Sequence, residues 1–298
     1  MRIVIAGASG FLGTHLSRHL RTHGHQVTAL VRREPGVDEA AWDPYAGPLD
    51  PAVLAGAHVV VNLAGSPTAG NPHSKRWAQE LRESRVTTTR VLAEAVAVQP
   101  QPPAFLAGNG ISIYGDHGAE PVTESTDSRG DALLTQVTRV WEEATDAARQ
   151  AGARVCILRT APVMDRRSAP LHQLLPMFRA GLGARLGSGD QYFPMISLRD
   201  WIQAVAFLAE SHDVSGAFNL CCPTTPTNAE FTKVLAAAVH RPAFLMAPAP
   251  VLRVAAGPMA PELLGSCNVR PAALEQAGYD FNDLDVDDVL ASALSAGS

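Results

Sequence analysis

The chain has 298 residues, 46% of them hydrophobic, and a formal net charge of -5. This length and apolar content suffice for one large buried core with a smaller lobe attached to it. The acidic balance argues against a nucleic-acid surface, and no apolar run reaches the roughly 18 residues that cross a bilayer. We therefore expect a globular protein that binds small molecules, and neither nucleic acid nor a membrane.

The chain has four cysteines, and none shows the C-x-x-C spacing of a metal or redox site. His15, His19 and His23 recur every four residues on the first predicted helix. No carboxylate accompanies them at suitable spacing, so we expect structural or exposed histidines and no metal. Met1 leads directly into the strand-like RIVIAG, without the charged and apolar regions of a signal peptide. These features predict a cytoplasmic protein.

Short β-rich runs alternate with helical patterns along the first half of the chain. The predicted strands are RIVIAG, HQVTALV, HVVVNLAG, PAFLAGNGISIYG and ARVCILRT. Apolar residues three and four apart predict helices within 13–24, 74–98 and 131–151. This alternation predicts an α/β fold with a parallel, doubly wound sheet of the Rossmann type. HVVVNLAG is apolar on both faces, which is typical of a strand at the buried centre of such a sheet.

The pattern changes in the second half, where Pro, Gly and Arg are scattered through a stretch that precedes a helix predicted near Asp200. GAFNLCC, at 216–222, predicts a further strand that returns to the sheet, and the tail from Pro223 is mostly helical with interspersed prolines. We therefore predict two parts, a Rossmann domain and a smaller, mainly helical C-terminal substrate lobe. The Rossmann domain comprises 1–163 with 194–222 returning to it, and the lobe comprises 164–193 and 223–298.

Gly7, Gly10 and Gly13 follow the first strand and open the first helix, in the sequence GASGFLG. In a strand-turn-helix unit the first glycine permits the tight turn, the second lets a pyrophosphate approach the backbone, and the third lets helix and sheet pack closely. The helix N-terminus offers free N–H groups and a positive dipole end to phosphates. We predict dinucleotide binding here, the alternative being a tight turn alone. The predicted contacts are Gly7, Ser9, Gly10, Phe11, Leu12 and Gly13.

Arg32 and Arg33 end the second strand, about twenty residues beyond the glycine loop. An acidic residue at this place holds the ribose 2′-hydroxyl of NAD, whereas arginine accommodates the 2′-phosphate of NADP. The two arginines therefore predict NADP(H) as the cofactor and themselves as contacts to it. The alternative is a solvated pair of surface arginines, and the neighbouring Glu34 keeps NAD open.

Several short motifs resemble those of the extended short-chain dehydrogenase/reductase superfamily. They are NLAG at 62–65, ISIYG at 111–115, EPVTE at 120–124, ISLRD at 196–200 and GAFNL at 216–220. Longer stretches such as RESRVTTTRVLAEAV and VRPAALEQAGYDF resemble an epimerase family of atypical members, whose tail is a domain of unknown function. The likeness covers essentially the whole chain. It implies a cofactor whose adenine side lies against Leu63, Ala64 and Gly65.

The resemblance also identifies a departure in the catalytic machinery. In the active enzymes of the superfamily a tyrosine gives or takes a proton, a lysine four residues later lowers its pKa, and a serine or threonine orients the carbonyl. None of the four tyrosines here is followed four residues later by a lysine. Val137 and Trp141 stand at the places that the resemblance assigns to the pair. The atypical family lacks the pair as well, so its absence does not by itself predict an inactive protein.

Several side chains near the expected site are candidate catalytic groups, and each has a structural alternative. The stretch where relatives carry serine reads AGNG, and Asn109 there can hydrogen-bond a carbonyl but is no acid of suitable pKa. Tyr114 can pack as a structural residue, and Ser112 can point away from the site. Tyr192 can close over a ligand or stay on the surface, and Trp141 can stack on a ligand ring or join the core. The candidates are Asn109, Ser112, Tyr114, Tyr192 and Trp141.

The sequence leaves three functions open. The first is an NADP(H)-dependent oxidoreductase or epimerase of atypical mechanism, acting on a small molecule held between the two lobes. The second is an NADP(H)-binding sensor or interaction protein without catalysis, and the third is a non-redox lyase or cyclase in the same pocket. Many relatives pair through long helices such as the one predicted within 74–98, so a homodimer is one predicted assembly.

Overall fold

The computed structural model describes residues 1–295. The strands are β1 (Arg2–Ala6), β2 (Gln26–Val31), β3 (Glu39–Ala41), β4 (Val59–Asn62), β5 (Ala104–Gly110), β6 (Pro121–Val122), β7 (Val155–Thr160), β8 (Val163–Met164), β9 (Ala184–Leu186), β10 (Ile196–Ser197), β11 (Gly216–Leu220), β12 (Leu245–Ala247) and β13 (Asn268–Val269). The helices are α1 (Phe11–Thr22), α2 (Lys75–Ala97), α3 (Leu133–Glu143), α4 (Asp146–Gln150), α5 (Ala169–Arg179), α6 (Leu198–Glu210), α7 (Asn228–Ala238), α8 (Ala249–Ala256), α9 (Ala260–Leu264), α10 (Ala272–Gln276) and α11 (Val286–Ser295).

Seven strands form one parallel sheet in the order β11-β7-β5-β4-β1-β2-β3. The chain winds outward in opposite directions from β1 and β4, so these neighbours mark the point where the strand order reverses. In open α/β sheets a ligand crevice lies at this point, outside the carboxyl ends of the strands. The predicted α/β fold with a doubly wound parallel sheet is confirmed.

Helices cover both faces of the sheet. On one face Leu16 of α1 and Trp201 of α6 are buried in the same apolar cluster as Ile3 and Ile5 of β1. On the other face α2 and α4 pack on the alternate residues of the same strands. Because both faces are covered, the central strands are mainly apolar, and all of β4 is buried.

The helix predicted within 131–151 is interrupted between α3 and α4. The hydroxyl of Thr145 donates to the backbone oxygen of Glu142 at 2.7 Å, and the amide of Ala148 bonds the oxygen of Thr145 three residues back. A threonine hydroxyl that bonds the preceding turn competes with regular helix geometry, and the break falls at this threonine. The short edge strand β3 was not predicted, since its three residues carry no clear alternation.

The remaining elements build a second lobe. Its core contains Leu175 of α5, Phe231 and Leu235 of α7, and Val289 and Leu290 of α11. The pairs β8 with β10 and β9 with β12 brace this lobe. Among residues 1–295, no helix combines the length and the apolar character needed to cross a bilayer.

Part of the C-terminal tail returns to the Rossmann sheet. Leu274 of α10 and Tyr279 lie in the apolar cluster of the first sheet face, and β13 pairs with β6. The chain therefore passes between the sheet and the second lobe more than once. The division into 1–163 with 194–222, against 164–193 with 223–298, stays a prediction.

Candidate active site

The glycine loop leaves no room for side chains at its two ends. Gly7 has a φ of +78°, and a Cβ atom on it would lie 2.6 Å from the carbonyl carbon of Leu63. A Cβ atom on Gly13 would lie 2.1 Å from the carbonyl oxygen of Gly7. Any side chain at either position would collide with backbone, so β1, the loop and α1 approach each other as closely as dinucleotide binding requires.

The N-terminus of α1 is open. No side chain caps it at Gly10, whereas Ser74, Ser197 and Thr227 cap α2, α6 and α7. Ser9 and Gly10 are exposed to solvent. Uncapped N–H groups and the positive end of the helix dipole favour an anion at this place.

The two arginines after β2 differ in their surroundings. Both terminal nitrogens of Arg33 donate to the carboxylate of Glu39, at 2.7 and 2.6 Å. This pair raises the pKa of Arg33 and lowers that of Glu39 through their hydrogen bonds. Arg32 is exposed and makes neither an ion pair nor a hydrogen bond with residues 1–295. Arg32 is thus the arginine that is free to meet a phosphate.

The turn after β4 is shaped by a buried asparagine. The side-chain oxygen of Asn62 accepts a bond from the amide of Ala64 at 3.0 Å, and its nitrogen donates to the hydroxyl of Thr89 at 2.8 Å. These bonds hold Leu63, Ala64 and Gly65 beside the glycine loop, at the carboxyl end of the sheet. All three predicted adenine-side residues therefore lie at the crevice.

Helix α3 carries apolar and aromatic groups at the two places that the resemblance assigns to a tyrosine and a lysine. Val137 is buried at 2% exposure. The indole nitrogen of Trp141 donates to the hydroxyl of Thr89 at 2.8 Å, and the ring covers Gly108 of β5. Neither side chain can exchange a proton with a carbonyl oxygen, so proton chemistry needs other groups.

Arg85 of α2 lies against Trp141. The central carbon of its guanidinium is 5.2 Å from the centroid of the indole ring, and its side chain neighbours Gly65. A positive charge therefore lies beside position 141, although no lysine does. The sequence held a signal for this residue, because Arg85 follows Leu81 by four positions and precedes Thr89 by four, on the buried stripe of the helix.

Two of the catalytic candidates have structural roles. The Asn109 amide nitrogen donates to the backbone oxygen of Thr138 at 3.1 Å, and its oxygen accepts from the amide of Gly110 at 2.7 Å. The Tyr114 hydroxyl donates to Asn219 at 2.6 Å and accepts from Arg159 at 2.8 Å. Burial raises the pKa of Tyr114 to about 12, against the opposing effect of Arg159. Neither side chain is free to assist a substrate.

Ser112 has a partner that sequence reasoning missed. Its hydroxyl donates to a carboxylate oxygen of Glu262, in α9, at 2.7 Å. Burial raises the pKa of Glu262 above its usual value, and the Ser112 hydrogen bond opposes this only in part. This carboxyl group binds its proton more tightly than usual, and it contacts a serine just after β5, at the carboxyl edge of the sheet. Such a group can take part in proton transfer. No local motif connects two residues 150 positions apart.

Tyr192 belongs to a loop between β9 and β10. Its backbone pairs with Thr227 and its amide bonds Ser266, while the neighbouring Gln191 donates to the backbone oxygen of Leu263 at 3.2 Å. The hydroxyl of Tyr192 has no hydrogen-bond partner among residues 1–295, and the side chain is half-buried. The loop therefore contacts α9 next to Glu262.

The C-terminal lobe covers the edge of the sheet at this site. His73, in the loop before α2, lies 3.2 Å from the backbone oxygen of Ala255, and Gly257 packs against its ring. Together with the contact between Ser112 and Glu262, this encloses the crevice between α2, α3 and the segment 249–264. A small molecule bound there would touch both lobes.

The histidines of α1 lie away from this crevice. His19 and His23 are stacked with ring centroids 4.1 Å apart, and burial together with His23 lowers the pKa of His19. No three His, Cys, Asp or Glu side chains within residues 1–295 are grouped so that they could hold a metal ion.

Two family models match this chain. Residues 3–221 match the NAD dependent epimerase/dehydratase family, and residues 247–293 match a domain of unknown function, DUF1731. The chain is 40% identical to an epimerase family protein of Mycobacterium bovis over 293 residues, covering 98% of this chain and 97% of that protein. It is 34% identical to the human epimerase family protein SDR39U1 over 291 residues, covering 95% and 96% of the two chains.

Solved structures agree with these matches. The crystal structure of human SDR39U1 (isoform 2) with NADPH superposes with a TM-score of 0.88 at 29% identity, over 99% of this chain and 100% of that one. A nucleoside-diphosphate sugar epimerase from Corynebacterium glutamicum superposes with a TM-score of 0.80 at 31% identity, over 99% of this chain and 58% of that one. The resemblance read from the sequence is confirmed: the chain belongs to the NAD dependent epimerase/dehydratase family.

Proposed function

We propose that the protein binds NADP(H) in the crevice at the carboxyl edge of the sheet and catalyses an oxidoreductase or epimerase reaction on a small molecule. The observation that carries this proposal is the glycine loop, whose ends at Gly7 and Gly13 exclude any side chain and whose helix is uncapped. The similar human protein that was crystallised with NADPH supports the choice of cofactor.

The residues present fit this cofactor. The amides at the start of α1 and the backbone of Ser9 and Gly10 would hold the pyrophosphate. The guanidinium of Arg32 would meet the 2′-phosphate, and Leu63, Ala64 and Gly65 would lie along the adenine side. Arg33 would contribute only if it left Glu39. The bound cofactor supplies or accepts a hydride at its nicotinamide ring.

Ser112 and Glu262 are proposed to handle the proton. A carbonyl oxygen that becomes a hydroxyl must gain one proton, which a positioned side chain supplies with a gain of about 10² to 10⁴ in rate. Ser112 would donate its hydroxyl proton to that oxygen and receive one from the protonated carboxyl of Glu262. Solvent would then return a proton to Glu262. In the oxidising direction the two groups would act in reverse.

Titration of the purified protein with NADPH and NADH, followed by nicotinamide fluorescence, tests the cofactor assignment. We expect NADPH to bind more tightly than NADH. The R32A variant should lose about one to two decades of this preference, because a charge-assisted contact contributes roughly 1.5 to 3 kcal/mol. R33A is the matched control, since Arg33 is paired with Glu39, and it should change the preference far less. Failure of both nucleotides to bind the wild-type protein would contradict the proposal.

A second function is favoured by the side chains on α3. Val137 is buried, and the indole of Trp141 donates to the hydroxyl of Thr89, so neither side chain is a reactive group. This suits a protein that senses the NADPH to NADP⁺ ratio without turnover. Hydride exchange with any member of a broad carbonyl panel, followed as loss of NADPH absorbance, would support the enzyme. No exchange, together with different backbone hydrogen-exchange patterns in the NADPH and NADP⁺ forms, would support the sensor.

A further inference from the structure

Arg85 is a half-buried cation without a counter-ion among residues 1–295. One terminal nitrogen donates to the backbone oxygen of Leu81 at 3.0 Å. Guanidinium offers five N–H donors. No carboxylate in residues 1–295 forms an ion pair with Arg85. Most of its donors therefore have no protein acceptor.

This arrangement is unfavourable in the absence of a ligand. Buried charged side chains are normally paired, because a desolvated charge without a partner costs free energy. Burial lowers the pKa of Arg85 to about 10, and no neighbouring charge offsets the effect. The indole of Trp141, anchored to Thr89, supports one face of the guanidinium and keeps it in place.

The position of Arg85 points to the crevice. Its side chain lies next to Gly65, which is exposed at the carboxyl end of β4. The guanidinium thus lies between the strand end and α3, close to the groups already assigned to the cofactor. An anion that entered the crevice would accept hydrogen bonds from the remaining N–H groups of this positioned guanidinium.

We propose that Arg85, supported by Trp141, binds an anionic group of the substrate, a carboxylate or a phosphate. This rests on the proposed function, because it places the substrate in the same crevice as the cofactor. It narrows the substrate class to anionic small molecules. Arginine suits both groups, since its planar fork matches carboxylate and phosphate geometry.

Two sources of anion must be distinguished, the substrate and the phosphates of the cofactor. The probes are inorganic phosphate and acetate, added at constant ionic strength to the protein with and without saturating NADPH. Calorimetric titration gives the Kd of each probe, and thermal unfolding gives a second readout because ligands of the folded state raise Tm. The variants are R85Q and, as a matched control on the exposed face of α2, R82Q.

We expect phosphate or acetate to bind the NADPH-loaded wild-type protein and to raise its Tm. R85Q should weaken this binding by about tenfold or more, since hydrogen bonds to charged groups contribute roughly 1.5 to 3 kcal/mol. R82Q should leave it unchanged. The Kd for NADPH should change by less than about threefold in R85Q. Removal of an unpaired, half-buried charge should leave R85Q at least as stable as the wild type when no anion is present.

Three results would overturn the proposal. If neither probe binds saturably to the NADPH-loaded wild-type protein, the crevice has no anion site. Equal binding of the probes by wild type and R85Q would show that Arg85 is not part of the site. A large loss of NADPH affinity in R85Q with unchanged probe binding would assign the guanidinium to a cofactor phosphate. If NADPH fails to bind at all, the proposed function fails, and the titrations without NADPH still decide whether Arg85 binds anions.

Discussion

The carboxyl group of Glu262, from the C-terminal lobe, contacts Ser112 in the 3-10 turn that follows β5. Burial raises the pKa of Glu262 in the folded protein, so the folded state holds this proton more tightly than the unfolded chain does. The stabilising contribution is therefore complete at pH values below the unfolded pKa, and it is lost as the pH rises through the raised folded value.

The E262Q variant should remove this pH dependence, because an amide does not ionise. We expect its free energy of unfolding, relative to the wild type, to rise as the pH increases above the unfolded pKa of a glutamic acid and to level off above the raised folded value. Urea unfolding at several pH values measures this difference. The control is E94Q on the exposed face of α2, whose difference from the wild type should stay constant. Parallel curves for E262Q and the wild type would refute the prediction.

Tyr114 is expected to act on stability and not on the reaction. The Y114F variant loses the bonds of its hydroxyl to Asn219 and Arg159, and it leaves those two buried partners less well satisfied. We expect a loss of about 1 to 3 kcal/mol in the free energy of unfolding, with little change in NADPH affinity. Urea unfolding and nicotinamide fluorescence measure the two quantities. A loss of NADPH binding in a stable Y114F protein would show that Tyr114 takes part in cofactor binding.

At the scale of elements, the start of α6 anchors the tail. The buried carboxylate of Asp200 accepts bonds from the Tyr279 hydroxyl at 2.9 Å, from the side chain of Asn282 at 2.8 Å and from the amide of Asp283 at 2.8 Å. Asp283 in turn accepts from Ser197, the cap of α6. The ISLRD motif thus has a structural role, in which it joins the helix to residues 279–283.

Loss of this carboxylate should release the tail. The D200A variant leaves several buried donors without an acceptor, so we expect a loss of about 2 to 4 kcal/mol in the free energy of unfolding. D280A is the control, since Asp280 is exposed within the same segment. Urea unfolding compares the two variants. Equal stability of D200A and D280A would show that the bonds of Asp200 to residues 279–283 contribute little to the free energy of unfolding.

At the scale of the whole molecule, the two lobes are expected to unfold together. Leu274 and Tyr279 pack in the sheet cluster with Ile3 and Ile5, so the tail completes the core of the first half. Far-UV circular dichroism and tryptophan fluorescence should report one coincident transition in urea. Chain 1–264 should fail to fold, because its sheet face would be exposed. Two separate transitions, or a stably folded 1–264, would contradict this expectation.

Much of the fold was predictable because its signals are local. Short stretches of sequence carry the alternation of strands and helices, the glycine loop directly after β1, and runs that are apolar on both faces, such as β4. The cofactor candidates of the glycine loop were predictable for the same reason, since Gly7 and Gly13 lie within one strand-turn-helix unit. The break at Thr145 and the edge strand β3 were missed, because a single hydroxyl bond and three residues without a pattern carry too little local information.

The sequence by itself determined the α/β fold, the glycine loop after β1 and the absence of a Tyr-Lys pair. Only the tertiary structure decided which groups are free to act there. It paired Arg33 with Glu39, brought Glu262 to Ser112 across 150 positions, and left Arg85 beside Trp141 without a counter-ion among residues 1–295. The reason is physical: burial and charge pairing depend on which distant segments the topology brings together, and no short stretch of sequence records that.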